Sequence, residues 1–155
     1  MTKKTPKQLE NMLNTLKCLT MNNAKNHVAR CFQEMVRWEY AAKTGGWLHC
    51  VTCPTVAHVR DVQAFHTGHF IGGRRASVIF HPLNSHQQCS QCNLHHHGRP
   101  REYEEYMLTT YGAEVVEELR SLSREDHKFT HEQLLELKLE FMARTKRAKR
   151  IVDSL

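Results

Sequence analysis

Apolar residues recur at three- and four-residue steps through Leu9, Met12, Leu13, Leu16 and Leu19, and again through Val28, Cys31, Phe32, Met35 and Ala42. That period predicts helix over 7–43. Asn22-Asn23 is the expected break between two helices, and Gly45-Gly46 the expected C-cap. Cys18 and Cys31 fall on or beside the apolar faces, where small core thiols are expected. From Trp47 the period changes. WLHCVTC, VAHVRDVQAFH, GHFIGG and ASVIFHPL read as short strands punctuated by Gly and Pro. Helical spacing returns from about Ser90. REYEEYMLTTYG ends on a Gly stop, AEVVEELRSL forms another helix, and Thr130 to Gln133 makes a capping-box pattern before LLELKLEFMARTKRAKRIV. The whole predicts an α+β chain: a basic helical region over 1–46, a small mixed unit over 47–100, and C-terminal helices with a basic end over 101–155.

Charge sharpens this picture. The 155 residues carry a formal net charge of +6, which suits a polyanionic partner. Between Glu39 and Glu102 the only carboxylate is Asp61, expected in a turn, while nine of the twelve histidines fall between His49 and His97. Chemistry in that segment must therefore be built mainly from imidazole, amide and thiolate groups. No apolar run approaches the ~20 residues of a membrane span. The start, MTKKTPKQLENML, has no apolar core of a signal peptide, so a cytoplasmic location is expected. Six cysteines in a reducing compartment point to metal binding or buried thiols rather than disulfides.

Cys50-x-x-Cys53 and Cys89-x-x-Cys92 form a four-thiolate frame with 35 residues between the pairs. Two such knuckles suit tetrahedral Zn²⁺ with bonds of about 2.3 Å. The insert leaves room for a hairpin and a loop, so zinc would clamp the ends of a small ββ unit. A closed site of this kind is structural, because it keeps no open coordination position.

The frame gathers other residues. His69 lies in TGHFIG between the pairs, Asn84 five residues before Cys89, and Asn93 directly after Cys92. If a helix begins near Cys89, Asn93 and His97 share one face of it, one turn apart. A strand histidine, a loop asparagine and a helical Asn/His pair could then converge on one site.

The stretch HCVTC…TGHFIGGR…NSHQQCSQCNLHHHGRPREYEEY resembles the HNH, or ββα-metal, nucleases that carry two zinc knuckles, and most closely the phage NinG/Rap recombination nuclease family. The resemblance extends more loosely to the flanks, a basic helix before the first CxxC and the helix THEQLLELKLEF. It implies a metal-dependent DNA endonuclease of phage recombination, acting in the host bacterial cell on branched or junction DNA. By the same resemblance His69 would be the general base. Asn93 would bind the catalytic Mg²⁺ or Mn²⁺ with His97 as second ligand, and Asn84 would pin the loop and orient His69. An imidazole suits proton abstraction at neutral pH. Relatives commonly place an Asp metal ligand just before the base histidine, whereas this chain has Gly68. His66 could substitute, or phosphate and water could hold the ion.

Other basic positions fit a DNA backbone: Arg74 and Arg75 after GHFIGG, Arg99, and Arg144, Lys146 and Arg147 in the terminal helix. His95 and His96 are expected on an exposed helix, His86 near a phosphate or beside a site residue, and His49, His58 and His81 in structural places. A homodimer, whose long helices could make the contact, and host recombination proteins are left open as partners. Two other functions use the same residues: a zinc-stabilised DNA-binding module without catalysis, and a structural zinc protein. The first has no need of His69, Asn84 and Asn93 together. The second does not explain the near absence of carboxylates from 40 to 101.

Overall fold

The computed structural model describes residues 4–61 and 64–155. Its class is α+β, as expected: five α-helices and two small antiparallel sheets. α1 (Pro6–Lys17) starts from a Thr5–Gln8 capping box with Pro at its first position. The break before α2 (Met21–Lys43) comes earlier than Asn22-Asn23. Thr20 is the N-cap, its hydroxyl accepting the Asn23 N–H, so both asparagines lie in the first turn of α2. α2 stops at Thr44, and Gly46 then takes φ +91°, with a Cβ there only 2.8 Å from the His58 ring. That position requires glycine on both counts.

β1 (Trp47–His49) pairs with β2 (Val56–His58), and the turn between them carries Cys50 and Cys53. β3 (Phe65–His69) pairs with β4 (Ser85–Cys89), Phe65 opposite Cys89 and His69 opposite Ser85. Val62 and Gln63 of the expected strand VAHVRDVQAFH lie outside the described residues. ASVIFHPL is not a strand. Val78 and Ile79 donate to the Arg75 carbonyl and His81 to that of Val78, so local turns take the backbone bonds a ladder would have supplied. A short 3₁₀ turn (Pro82–Asn84) leads into β4 and a single π-turn (Gln91–His95) leaves it. α3 (Pro100–Tyr111) and α4 (Ala113–Leu122) form a hairpin about Gly112, and α5 (His131–Asp153) starts from the expected Thr130–Gln133 box.

Three apolar clusters hold this together. Leu16, Val28, Phe32, Met35, Leu134 and Phe141 join α1, α2 and α5. Trp38, Leu48, Val59, Phe65, Ala148 and Val152 surround the cysteines, so α2 and α5 pack against both sheets. Tyr103, Met107, Val116 and Leu119 close the α3–α4 hairpin. Cys31 packs beside the helical core as expected, but Cys18, at the C-cap of α1, is exposed. Among the described residues no helix is long and apolar enough to cross a membrane.

Candidate functional site

The Sγ atoms of Cys50, Cys53, Cys89 and Cys92 all lie within 4.8 Å of one another, with Cys53 and Cys89 at 3.6 Å. Bonds near 2.3 Å to a tetrahedral ion set sulfurs about 3.8 Å apart. The donor set therefore fits a metal such as Zn²⁺. It joins the β1–β2 turn to the end of β4, and the Val51 N–H donating to the Gln87 carbonyl at 2.9 Å reinforces that junction.

His69 ends β3. Its Nε2 lies 3.2 Å from the Ile79 carbonyl oxygen. A carbonyl only accepts, so Nε2 carries the proton and Nδ1 is the bare, basic nitrogen. Burial lowers the His69 pKa, the Ile79 bond opposes that shift, and the Arg74 charge adds to it. The net direction keeps the imidazole neutral.

The loop that supplies Ile79 is held by Asn84, which is fully buried. Its Oδ1 accepts the Ile71 N–H at 2.8 Å, and its Nδ2 donates to the carbonyls of Ile71 and Val78, both at 3.2 Å. One side chain thus ties the two ends of the 71–78 loop, next to the carbonyl that orients His69. Asn84 positions; it does not line the cleft.

His69 faces a cleft of about 570 Å³ between β3 and α2. Thr67, Arg74, Ile79 and Asn93 line it from the mixed unit, so His69 and Asn93 share one cavity. The opposite wall is α2, through Asn23, Asn26, His27, Arg30 and Gln33. Sequence reasoning missed this wall. Its signal was present: residues 23, 26, 27, 30 and 33 recur at helical spacing, as one polar stripe along a helix whose other side is core. His27 Nε2 lies 2.9 Å from Lys138 Nζ. Burial, then Lys138 and Arg30, lower its pKa, so it too stands neutral.

Other expected members are elsewhere. The π-turn ends at His96 and His97 takes φ +51°, exposed, so Asn93 and His97 are not one helical turn apart on a shared face. His97 does not line the His69 cleft. His66 lies three positions before His69 on one strand, and strand alternation puts the two side chains on opposite faces. It lines a separate, adjoining cleft with Arg37. His66 therefore does not stand in for an Asp at position 68.

The space at Gly68 is already taken. A Cβ there would lie 2.1 Å from Gln88 Oε1. Gln88 is itself buried, and its Nε2 donates to Gly98 O at 2.7 Å and Thr52 Oγ1 at 3.1 Å. Among the described residues no carboxylate lines the His69 cleft. Asn93 offers one amide oxygen, whereas Mg²⁺ sites usually supply one or two carboxylates alongside phosphate and water. The cleft therefore fits a hard cation only in part.

Behind β3, His86 forms a hydrogen-bonded chain. The Tyr103 hydroxyl donates to the Gly68 carbonyl at 3.0 Å, and His86 bridges Tyr103 and Tyr111 through its two ring nitrogens, both at 3.0 Å. Burial pushes the His86 pKa down to about 4. It is an interior residue, not a phosphate ligand.

Of the basic positions, Arg74 reaches the cleft. Arg75 is exposed, its guanidinium 3.4 Å from the Ser123 carbonyl, and Arg99 sits 3.5 Å from Glu102. Lys146 and Arg147 are exposed on α5 and do not line the His69 cleft. Arg144 grips Glu39 through two bonds of 2.8 Å and Glu140 through a third of 3.1 Å, so its guanidinium is engaged within the fold.

The family described as Bacteriophage Lambda NinG protein matches residues 2–151 of this sequence. The chain is also similar to "Protein ninG" of Escherichia phage lambda, at 28% identity over 100 residues. That match covers 64% of this chain and 47% of the relative, so the chain spans about half that relative's length. No solved structure matches.

Proposed function

The chain belongs to the NinG family of bacteriophage proteins, and we propose that it is an endonuclease hydrolysing DNA phosphodiesters in phage recombination, with His69 as general base. The observation that carries this reading is the Ile79 carbonyl on His69 Nε2. It holds the imidazole in one tautomer and leaves Nδ1 free to take a proton from water. Arg30 and Arg74 line the same cleft and oppose the negative charge that builds on the phosphate under attack. Asn84 keeps the loop, and through it the base, in place. Asn93 would be this chain's ligand to a divalent ion, which when bound would neutralise charge on the scissile phosphate. Branched or junction DNA is the substrate class we propose, on the family relationship.

A second reading, a zinc-stabilised DNA-binding module, is favoured by one observation: Gly68 and its cleft supply no carboxylate. Labelled branched and linear DNA, incubated with Mg²⁺, Mn²⁺ or EDTA, separates the two. The endonuclease cuts with an ion present, and His69→Ala abolishes cutting while retaining its zinc and helical signal. Wild-type protein that binds DNA and never cuts under any ion establishes the binding module instead.

A further inference from the structure

Resting on that reading of the His69 cleft, we infer that the substrate strand lies along the polar face of α2, with Arg30 and Arg37 as its phosphate contacts. The His69 cleft does not end at Gln33. An adjoining cleft, lined by Arg30, Gln33, Arg37, Phe65, His66 and Thr67 together with the ion-paired Glu34, shares Arg30, Gln33 and Thr67 with it. The two clefts follow one another between α2 and β3 as a furrow, and where they meet Thr67 Oγ1 donates to the Gln33 carbonyl at 3.1 Å, so a strand passes over that contact and not between its partners. The beginning of α2 faces the His69 end of β3, and Arg37 faces the Phe65 end. From Asn23 to Arg37 the helical wall is about 21 Å long at 1.5 Å per residue.

Charge selects the occupant. α2 contains two acids, Glu34 and Glu39. Both are neutralised from α5: Lys149 Nζ lies 2.6 Å from Glu34, and Arg144 holds Glu39. Arg30 and Arg37 make no ion pair among the described residues, and Arg37 Nε is buried without a hydrogen-bond partner. Lys25, at the His69 end, spends its ammonium on the Arg74 carbonyl at 3.3 Å. The bases of α5 thus cancel the acids of α2 and leave the furrow cationic. Arg30 and Arg37 are seven residues apart, on the same face and about 10 Å along the axis. That is close to the rise of three nucleotides of one duplex strand. A polyanion with regularly spaced charges fits this track, and the furrow delivers it to His69.

The test measures DNA binding in the cutting-deficient His69→Ala chain, with a fluorescein-labelled duplex and anisotropy read from 50 to 200 mM salt. Each phosphate contact contributes roughly 0.9 to the slope of log Kobs against log salt on duplex DNA. Arg30→Gln with Arg37→Gln should reduce the slope by about 1.8. Arg30→Lys with Arg37→Lys, which keeps the charge, should restore it, so a fold defect is distinguished from a lost contact. Lys4→Gln with Lys7→Gln, exposed at the start of α1, should leave it unchanged. An unchanged slope in the Arg30/Arg37 variant, or a fall only in the Lys4/Lys7 variant, overturns the track. If wild type never cuts DNA yet the Arg30/Arg37 slope falls, the track stands and the nuclease reading fails. If wild type cuts and the slope does not move, the reverse holds.

Discussion

Arg144 of α5 and Glu39 of α2 face each other as a two-pronged pair, Nε to Oε1 and Nη2 to Oε2, both at 2.8 Å. Fork-to-carboxylate geometry is the strong form of an ion pair. Both side chains remain about a third exposed, so solvent screens the pair and its coupling should be about 1 kcal/mol. Urea unfolding of Arg144→Ala, Glu39→Ala and the double variant should return a coupling of that size. The salt slope of DNA binding should stay constant in Arg144→Ala. A loss of about 0.9 from that slope would restore Arg144 as a phosphate contact.

The pKa of His69 is lowered chiefly by burial, so its basic form survives into mildly acid solution. If the proposed cleavage is carried by this imidazole, the acid limb of its single-turnover rate should have its midpoint below 6.5, the ordinary histidine value. Activity is retained above that midpoint and falls as pH drops through it. A midpoint at or above 6.5 would mean that the proton is taken by a group in a different environment.

Much of this architecture was legible in the pattern of residues. The Thr130–Gln133 box, the Gly112 stop and the two cysteine pairs are local signals, and each has a direct physical reading. What failed depended on partners distant in sequence. ASVIFHPL has the apolar content of a strand, yet Asn84 and local turns satisfy its backbone instead. The pairing of Arg144 with Glu39 is not legible until α5 is laid against α2. Asn93 and His97 have helical spacing, but the chain after Cys92 makes one π-turn and then needs positive φ. The α2 wall of the cleft was hidden for a simpler reason. A polar helical stripe usually faces solvent, and only the placement of β3 opposite turns it into a furrow.

Neutral His86 is buried among Tyr103, Tyr106 and Tyr111, with a pKa near 4 against 6.5 in the unfolded chain. Unfolding below pH 6.5 therefore takes up a proton at this residue. Its contribution is fully present above 6.5 and is lost as pH falls toward 4, by an amount on the order of 3 kcal/mol. The stability difference between wild type and His86→Asn should shrink over that interval and stay constant above it. A difference that is flat from pH 4 to 7 would place an ordinary, solvated imidazole at this position.

Gly68 and Gln88 compete for one space. Gly68→Ala puts a Cβ against Gln88 Oε1, and the amide cannot swing away without leaving Gly98 O and Thr52 Oγ1. Overpacking of this kind typically costs about 1–3 kcal/mol. In a Gln88→Ala background the same substitution should cost much less, so the two changes are non-additive. Equal costs in both backgrounds would show that β3 shifts rather than Gln88.

Removing the metal should unfold part of the protein rather than all of it. The cysteines sit among Trp38, Leu48, Val59 and Phe65, while Leu16, Val28, Phe32, Leu134 and Phe141 form a separate helical core. Structural zinc contributes ~10 kcal/mol or more in small zinc folds, comparable to the whole stability of a domain. A strong chelator should extract one zinc per chain. Fluorescence from Trp38, buried beside the cysteines, should shift red as its surroundings open. Far-ultraviolet circular dichroism should keep most of its helical signal, because α1, α2 and α5 pack on one another without help from the thiolates. Zinc content below one per chain, or a tryptophan spectrum indifferent to the chelator, would remove the clamp from this account. The His69 cleft would then have to be held by Asn84 and the β3–β4 ladder alone.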